Sequence, residues 1–241
     1  MILVLASAFD SRAQALVTGL GPGEVRLMTP GDLSAPGWQY RVGRPRDGVA
    51  VASGQRLAQS AIRGVFTRLP WIDPAELSHV APQDRSFVAS EMQAFLVAWL
   101  SQLTCPVVNR PTPLCLCGPG WRREQWLYAA AKVGLPVVTA LRRHVLPPDR
   151  DVAPLLAPPE VTVTVIGQTV TGTGEGAIRV GALRLAAMAG VDLLGLEFVR
   201  RHGGLALTSA TLWPDLNSPA DIAALRLCFT VNVADQLGGA A

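Results

Sequence analysis

The chain has 241 residues, room for one large domain or two small ones, and its 49% apolar against 16% charged residues exclude a disordered polypeptide. A formal charge of +3 rests on Arg residues scattered in ones and twos and on a single Lys, Lys132. That scatter excludes the clustered basic face that nucleic-acid binding requires.

No stretch reaches the ~18 apolar residues of a bilayer span. The best run, "FLVAWL" at 95–100, is flanked by Glu91, Gln93 and Gln102, so no membrane partner is expected. The opening "MILVLASAFD" lacks the charged region of a signal peptide. It reads as a buried first strand, and a cytoplasmic location is the expectation.

In chain order, "ILVLAS" (2–7) is a strand, and Asp10 or Ser11 caps a helix through "SRAQALVTGL" that stops at Gly21-Pro22-Gly23. "EVRLM" (24–28), "GVAVAS" (48–53) and "GVFTRLP" (64–70) are the next strands. This alternation predicts an α/β layer structure with a largely parallel sheet. Residues 86–103 form the clearest helix, with Phe87, Glu91, Phe95 and Trp99 on one face at four-residue spacing. "CPVVNRP" (105–111) is a short strand, 121–134 a helix ended by Gly134, and "LPVVTALR" (135–142) a strand.

The Pro-rich stretch "HVLPPDRDVAPLLAPPE" (144–160) is the expected boundary, because proline fixes φ and removes a donor. It divides the chain into a domain over 1–143, a linker over 144–160 and a lobe over 161–241. The lobe opens with a hairpin turning at Gly167-Gln168, followed by a helix (177–189), strands at 192–199 and 205–211, and a helix over 218–237.

Several residues carry candidate chemistry. Arg68 stands at the carboxyl end of a strand, where open α/β sheets bind ligands. It either pairs with Glu91 structurally or lines a cleft with it. "SGQR" (53–56) offers a generic anion site if a helix begins there. "TGTGEG" (171–176) lacks the Lys of a phosphate loop and reads as a turn. Cys115 and Cys117 either hold a soft metal with two further ligands or are reduced, buried thiols like Cys105 and Cys228. Asp192 and Glu197 point to opposite faces if their strand alternates, which disfavours a paired-carboxylate catalyst. "LWPDL" (212–216) reads as a corner in which Asp215 bonds its own turn.

The order "GVFTRLP", "FVASEMQAFLVAWLSQL", "PVVNRP", "REQWLYAAAKVGLPVVTAL" resembles the N-terminal part of ATP-grasp ligases, above all those of the microviridin or graspetide type that mature ribosomal peptides. The resemblance places Arg68, Glu91, Asn109 and Pro111 on the family's Arg strand, Glu helix and Asn-x-Pro turn. Gly134, Leu135, Val137 and Thr139 fall on its Gly-Leu-x-Val-Pro-x-Thr, with the Pro shifted to Pro136. "VTVIGQTV" and "RLAAMAGVDLLGLEF" are similar to its C-terminal strand pair and helix–strand unit. The implied fold is a pre-ATP-grasp-like open sheet with a second small α+β lobe.

Three departures bear on activity. The link over 143–160 cannot be the central nucleotide-covering lobe, so that lobe is expected to be missing. The family's phosphate-binding lysines have one counterpart at most, and Lys132 sits in the last turn of a helix, where its charge suits the helix terminus. The family's Mg²⁺ ligands, an Asp on one strand and Glu-x-Asn on the next, fall on Asp192, Ser209 and Thr211. Magnesium favours hard oxygen ligands, carboxylates above all.

The resulting expectation is a non-catalytic ATP-grasp-like binding or scaffold protein that recognises a peptide or an enzyme partner. It uses no cofactor, has no catalytic residue and no metal, and has ligand-binding candidates at Arg68, Glu91, Asn109 and Asp192. A homo-oligomer is compatible with the mean hydropathy of +0.30. The alternative is a divergent carboxylate–amine ligase whose ATP and Mg²⁺ groups come from a partner chain.

Overall fold

A computed structural model describes residues 1–21, 23–138, 158–201 and 203–237, the side chains of 231–237 excepted. The chain runs β1 (Ile2–Leu5), α1 (Ser11–Leu20), β2 (Val25–Met28), α2 (Pro30–Leu33), β3 (Val49–Ala52), β4 (Gln55–Ala58), β5 (Gly64–Thr67), α3 (Arg85–Gln102), β6 (Val107–Val108), α4 (Arg123–Lys132), β7 (Val161–Ile166), β8 (Thr169–Gly172), α5 (Gly176–Ala189), β9 (Leu193–Arg201), β10 (Gly204–Thr211) and α6 (Pro219–Leu237). Contacts divide it into two compact units, one of Met1–Gly120 with Asp215–Ala241, the other of Trp121–Pro214. The division therefore falls at Gly120 and again at Pro214, outside the Pro-rich stretch. Most of that stretch, with Thr139, lies outside the described residues, as do 139–142 of the strand expected at 135–142. From its described part, Val137 makes one parallel bridge, to Leu207.

The first unit is built on a four-stranded sheet of order β2-β1-β5-β6 in which every pair is parallel. β1 and β5 are its inner strands, which is why both read as continuous apolar runs instead of alternating ones. α1 starts where the Asp10 carboxylate accepts from the backbone N–H groups of Arg12 and Ala13, and it buries Ala13, Leu16 and Leu20. Gly21, at φ 100°, stops it. Leu3, Leu5, Val65, Leu96, Trp99 and Leu116 belong to the core.

Two expectations for this unit are corrected. The strand expected at 48–53 is not part of the parallel sheet. It is β3, which pairs antiparallel with β4 across the turn Ser53-Gly54 and makes one further antiparallel bridge, Val49 to Gln39. Both turn residues have positive φ, 51° and 68°, the signature of a tight hairpin, and a two-residue loop is too short for a parallel crossover. "SGQR" is therefore this turn and the start of β4; it opens no helix, and the Gly54 N–H donates to Asp32 Oδ1 at 2.8 Å.

The expected face of α3 also splits. Trp99 is fully buried, whereas Phe87 is 69% exposed and Glu91 lies in solvent. A four-residue step overshoots a turn of ~3.6 residues, so the row slants off the buried stripe within three steps.

The second unit is an antiparallel sheet of order β10-β9-β7-β8 with α5 on one face. The predicted hairpin is β7–β8, with Gly167 at φ 59° in its turn. α5 buries Ile178, Ala182, Leu185 and Ala186, and Gly181 lets Leu135 approach so closely that an added Cβ would stand 2.4 Å from Leu135 Cδ2. "TGTGEG" joins β8 to α5. At Gly172, φ is +92° and a Cβ would meet the Thr162 carbonyl at 2.2 Å, so its glycine serves a close backbone approach. Among the described residues no helix is long and apolar enough to cross a membrane.

Candidate functional site

In the first unit the chain leaves β1 for β2 on one side, while β5 and β6 lie on the other. The loops after β1 and β5 thus diverge at their carboxyl ends, the crevice where open α/β sheets hold ligands. Asp10 comes from the first loop and Arg68 directly follows β5. The Arg68 side chain is only 5% exposed, with Nε 3.0 Å from Asp10 Oδ2 and Nη2 4.0 Å from Asp215 Oδ1. Arg12, in the first turn of α1, places Nη1 2.5 Å from the same Asp215 oxygen. Two guanidinium groups and two carboxylates therefore balance one another at the sheet's edge.

Of the two readings of Arg68, the pairing with Glu91 gives way to this cluster: Glu91 is exposed on α3, and the partners of Arg68 include Asp10 and Asp215. Asp215 likewise does not close its own turn as expected but reaches both arginines. Burial pushes the Asp10 carboxyl up. The amide of Ala13, the Arg68 guanidinium and the amide of Arg12 outweigh it and hold the group below the ordinary value. Asp10 reads in sequence as a helix cap and Asp215 as a turn residue. The signal pointing beyond those roles is Arg68 itself, since a buried guanidinium needs carboxylate partners.

Asn109 follows β6 and is 2% exposed, so the structure brings it to the same end of the sheet as Arg68. The hydroxyl of Thr67, the last residue of β5, is buried with no hydrogen-bond partner. Asp192 belongs to the second unit, where it precedes β9, is exposed, and accepts from the Gly167 N–H through its carbonyl at 2.7 Å. Beside α3 lies an uncharged depression of about 690 Å³, lined by Trp71, Ile72, Pro74, Ala94, Val97 and Pro113 among others.

One face of the second sheet carries a row of hydroxyls. Thr162, Glu197 and Ser209 stand in register across β7, β9 and β10, and Thr164, Gly195 and Thr211 form the next row. An irregularity at Thr208, whose hydroxyl donates to the Glu197 carbonyl at 2.9 Å, sets this register. Pro214 packs on Gly195, where a Cβ would stand 2.7 Å from Pro214 Cβ. Lys132 ends α4, its ammonium 5.4 Å from the centre of the Tyr128 ring. Among the described residues no three His, Cys, Asp or Glu gather as metal ligands, and all four Cys are free thiols.

The fold, a parallel open sheet and a separate antiparallel one, is similar to that of the ATP-grasp class of α/β proteins. Solved structures of that class superpose on nearly the whole chain. Macrocyclase MdnC from Microcystis aeruginosa, bound with precursor peptide MdnA, is similar at a TM-score of 0.69 and 9% identity, over 94% of this chain and 98% of that one. Macrocyclase MdnB from the same organism gives 0.66 at 14% identity, over 94% and 98%. A RiPP-associated ATP-grasp ligase from Chryseobacterium gregarium, in complex with ADP and a leader and core peptide, gives 0.62 at 9% identity, over 98% and 96%. At these identities the likeness is one of fold. No family model matches the sequence, and no curated protein does.

Proposed function

We propose that this chain is a non-catalytic protein of ATP-grasp-like fold that recognises a peptide. The observation that carries the reading is the pair of hydroxyl rows on the second sheet: where the resemblance assigns Glu and Asn as metal ligands, Ser209 and Thr211 present hydroxyls opposite Glu197 and Gly195. Neutral hydroxyls hold Mg²⁺ far more weakly than carboxylates, and it is the held metal that neutralises phosphate charge in phosphoryl transfer. Asp192, the third assigned ligand, stands outside the strand and carries its carbonyl to a turn. This donor set does not fit Mg²⁺ with ATP.

Peptide recognition is supported by the solved structures of this fold that hold precursor, leader or core peptides. The uncharged depression along α3, with Trp71 58% exposed at its edge, suits apolar peptide side chains.

Two measurements test the reading. Titration calorimetry of the full chain with Mg-ATP is expected to show millimolar binding or none; micromolar binding sinks the non-catalytic assignment. Selection of a displayed random-peptide library on the full chain is expected to enrich a common motif that the Ala94→Arg variant no longer retains. No enrichment, or full retention by that variant, removes peptide binding at α3.

A further inference from the structure

We propose that Cys115 and Cys117 are a redox-active dithiol that closes to an intramolecular disulfide by exchange with a low-molecular-weight disulfide. The two thiols are one residue apart in a tightly turned segment. Thr112 and Cys115 exchange both backbone hydrogen bonds, at 2.9 and 3.2 Å, around a tip formed by Pro113 and Leu114. The Thr112 hydroxyl donates to the Gly118 carbonyl at 2.8 Å and so folds 115–118 back over the same tip. Leu116, between the two cysteines, is pinned through its N–H to the Pro70 carbonyl at 2.9 Å and enters the core. Cys115 and Cys117 are left on either side of it, with the thiol and backbone N–H of Cys117 both acting on the Cys115 sulfur.

The pair is asymmetric in the way exchange chemistry requires. Cys115 lies beside Leu114, which is 80% exposed, and is itself 6% exposed; Cys117 is fully enclosed. The two donors from Cys117 favour the Cys115 thiolate and bring its pKa down to about 7. Cys117 is pushed well above the ordinary value, by burial first and then by its bond to Cys115. Cys115 is accordingly the attacking sulfur and Cys117 the resolving one. Cys105, held at about 11 by burial, is an internal control of low reactivity.

The chemistry balances in two exchanges. The Cys115 thiolate attacks one sulfur of an external R–S–S–R, forms Cys115–S–S–R and expels RS⁻. Cys117, giving its proton to the solvent, then attacks the Cys115 sulfur and expels the second RS⁻. Two thiols are oxidised to one disulfide, and R–S–S–R is reduced to two thiols. The change is felt at the sheet's edge, because the Cys117 thiol also reaches the Thr67 carbonyl at 3.4 Å and Thr67 directly precedes Arg68.

The test uses the reduced full chain, incubated with graded mixtures of oxidised and reduced glutathione at neutral pH, quenched with acid, alkylated and mapped by mass spectrometry. The expected product is a peptide carrying Cys115 and Cys117 that is two hydrogens lighter, unalkylated and restored by reductant, while Cys105 and Cys228 are alkylated. The Cys117→Ser variant is expected to trap a glutathione mixed disulfide on Cys115, and Cys115→Ser about tenfold less on Cys117, as the loss of the low-pKa thiolate implies. Full alkylation of both wild-type thiols at every ratio overturns the proposal, as does equal mixed-disulfide formation in the two variants. The wild-type arm needs no substitution, so it decides the question even where a serine variant fails to fold.

Discussion

Arg68 Nε lies 3.0 Å from Asp10 Oδ2, tying the residue that follows β5 to the residue that caps α1. The same guanidinium reaches Asp215, the first residue after the chain leaves β10 and its Trp213-Pro214 exit. One buried cation therefore fixes three separate pieces of backbone. Replacing Arg68 by Met strips Asp10 of its cation and leaves Asp215 to Arg12, and breaking a buried pair from one side costs about 3–5 kcal/mol. The urea midpoint of Arg68→Met should fall accordingly. Arg68→Lys should recover little, because an ammonium cannot address two carboxylates in the geometry of a planar fork. A loss below about 1 kcal/mol, the range of exposed pairs, would mean that the cluster is a solvated surface arrangement.

Asp10 makes the cluster sensitive to acid. Its folded-state pKa lies below the 3.8 of an ordinary aspartate, so the folded protein binds fewer protons there than the unfolded chain. The stabilisation is complete above that ordinary value and drains away as pH falls through the lower, folded-state value. Asp10→Asn should be less stable than the wild type at neutral pH, and the gap should narrow as pH falls below the ordinary aspartate value and through the lower, folded-state one. Urea midpoints measured along that pH series supply the check. A gap that stays constant with pH would assign the loss to capping geometry alone.

Much of the fold was legible because burial leaves a strong mark on sequence. β1 showed as an unbroken apolar run, α1 by its Asp10 start and Gly21 stop, and β7–β8 as a hairpin around Gly167-Gln168. The hairpin β3–β4 was not legible, since "GVAVAS" has the same apolar content as a sheet-centre strand and its turn, Ser53-Gly54, lacks the commoner Asn-Gly or Asp-Gly. The site was legible at one end only. Arg68 stood out by its place after a strand and Asn109 only through the family resemblance, but Asp10 and Asp215, beside Arg68, lie 58 and 147 residues away in sequence, and no local spacing reports a tertiary ion pair.

Gly64 and Phe229 define a second tertiary constraint. A Cβ at Gly64 would stand 2.2 Å from Phe229 Cδ1, so α6 rests on the first residue of β5 with no room for a side chain. Phe229 is itself 4% exposed and cannot swing into solvent without emptying its site. Gly64→Ala should cost about 1–3 kcal/mol by overpacking. Phe229→Leu alone should cost less than the sum of large truncations, and combined with Gly64→Ala it should recover part of the loss. Thermal melts of the two single variants and the double variant complete the cycle. Strict additivity would show that the two positions do not press on each other.

Ser209 offers the sharpest probe of the hydroxyl rows, because it stands directly opposite Glu197 on the adjacent strand. Facing residues of an antiparallel pair hold their Cβ atoms about 4.5–5.5 Å apart, and like charges there are destabilising. Ser209→Glu should therefore lower the thermal midpoint in the absence of divalent cations. The new carboxylate pair is also the hard-oxygen arrangement that Mg²⁺ accepts. Mg²⁺ should raise the variant's midpoint again, by ~1.4 kcal/mol of stability once its concentration is ten times the dissociation constant. The wild type, with one carboxylate facing a hydroxyl, should not respond to Mg²⁺. A wild-type midpoint that climbs with Mg²⁺ and saturates would show that Glu197 and its neighbours already hold a divalent cation, and the non-catalytic reading would lose the observation on which it rests.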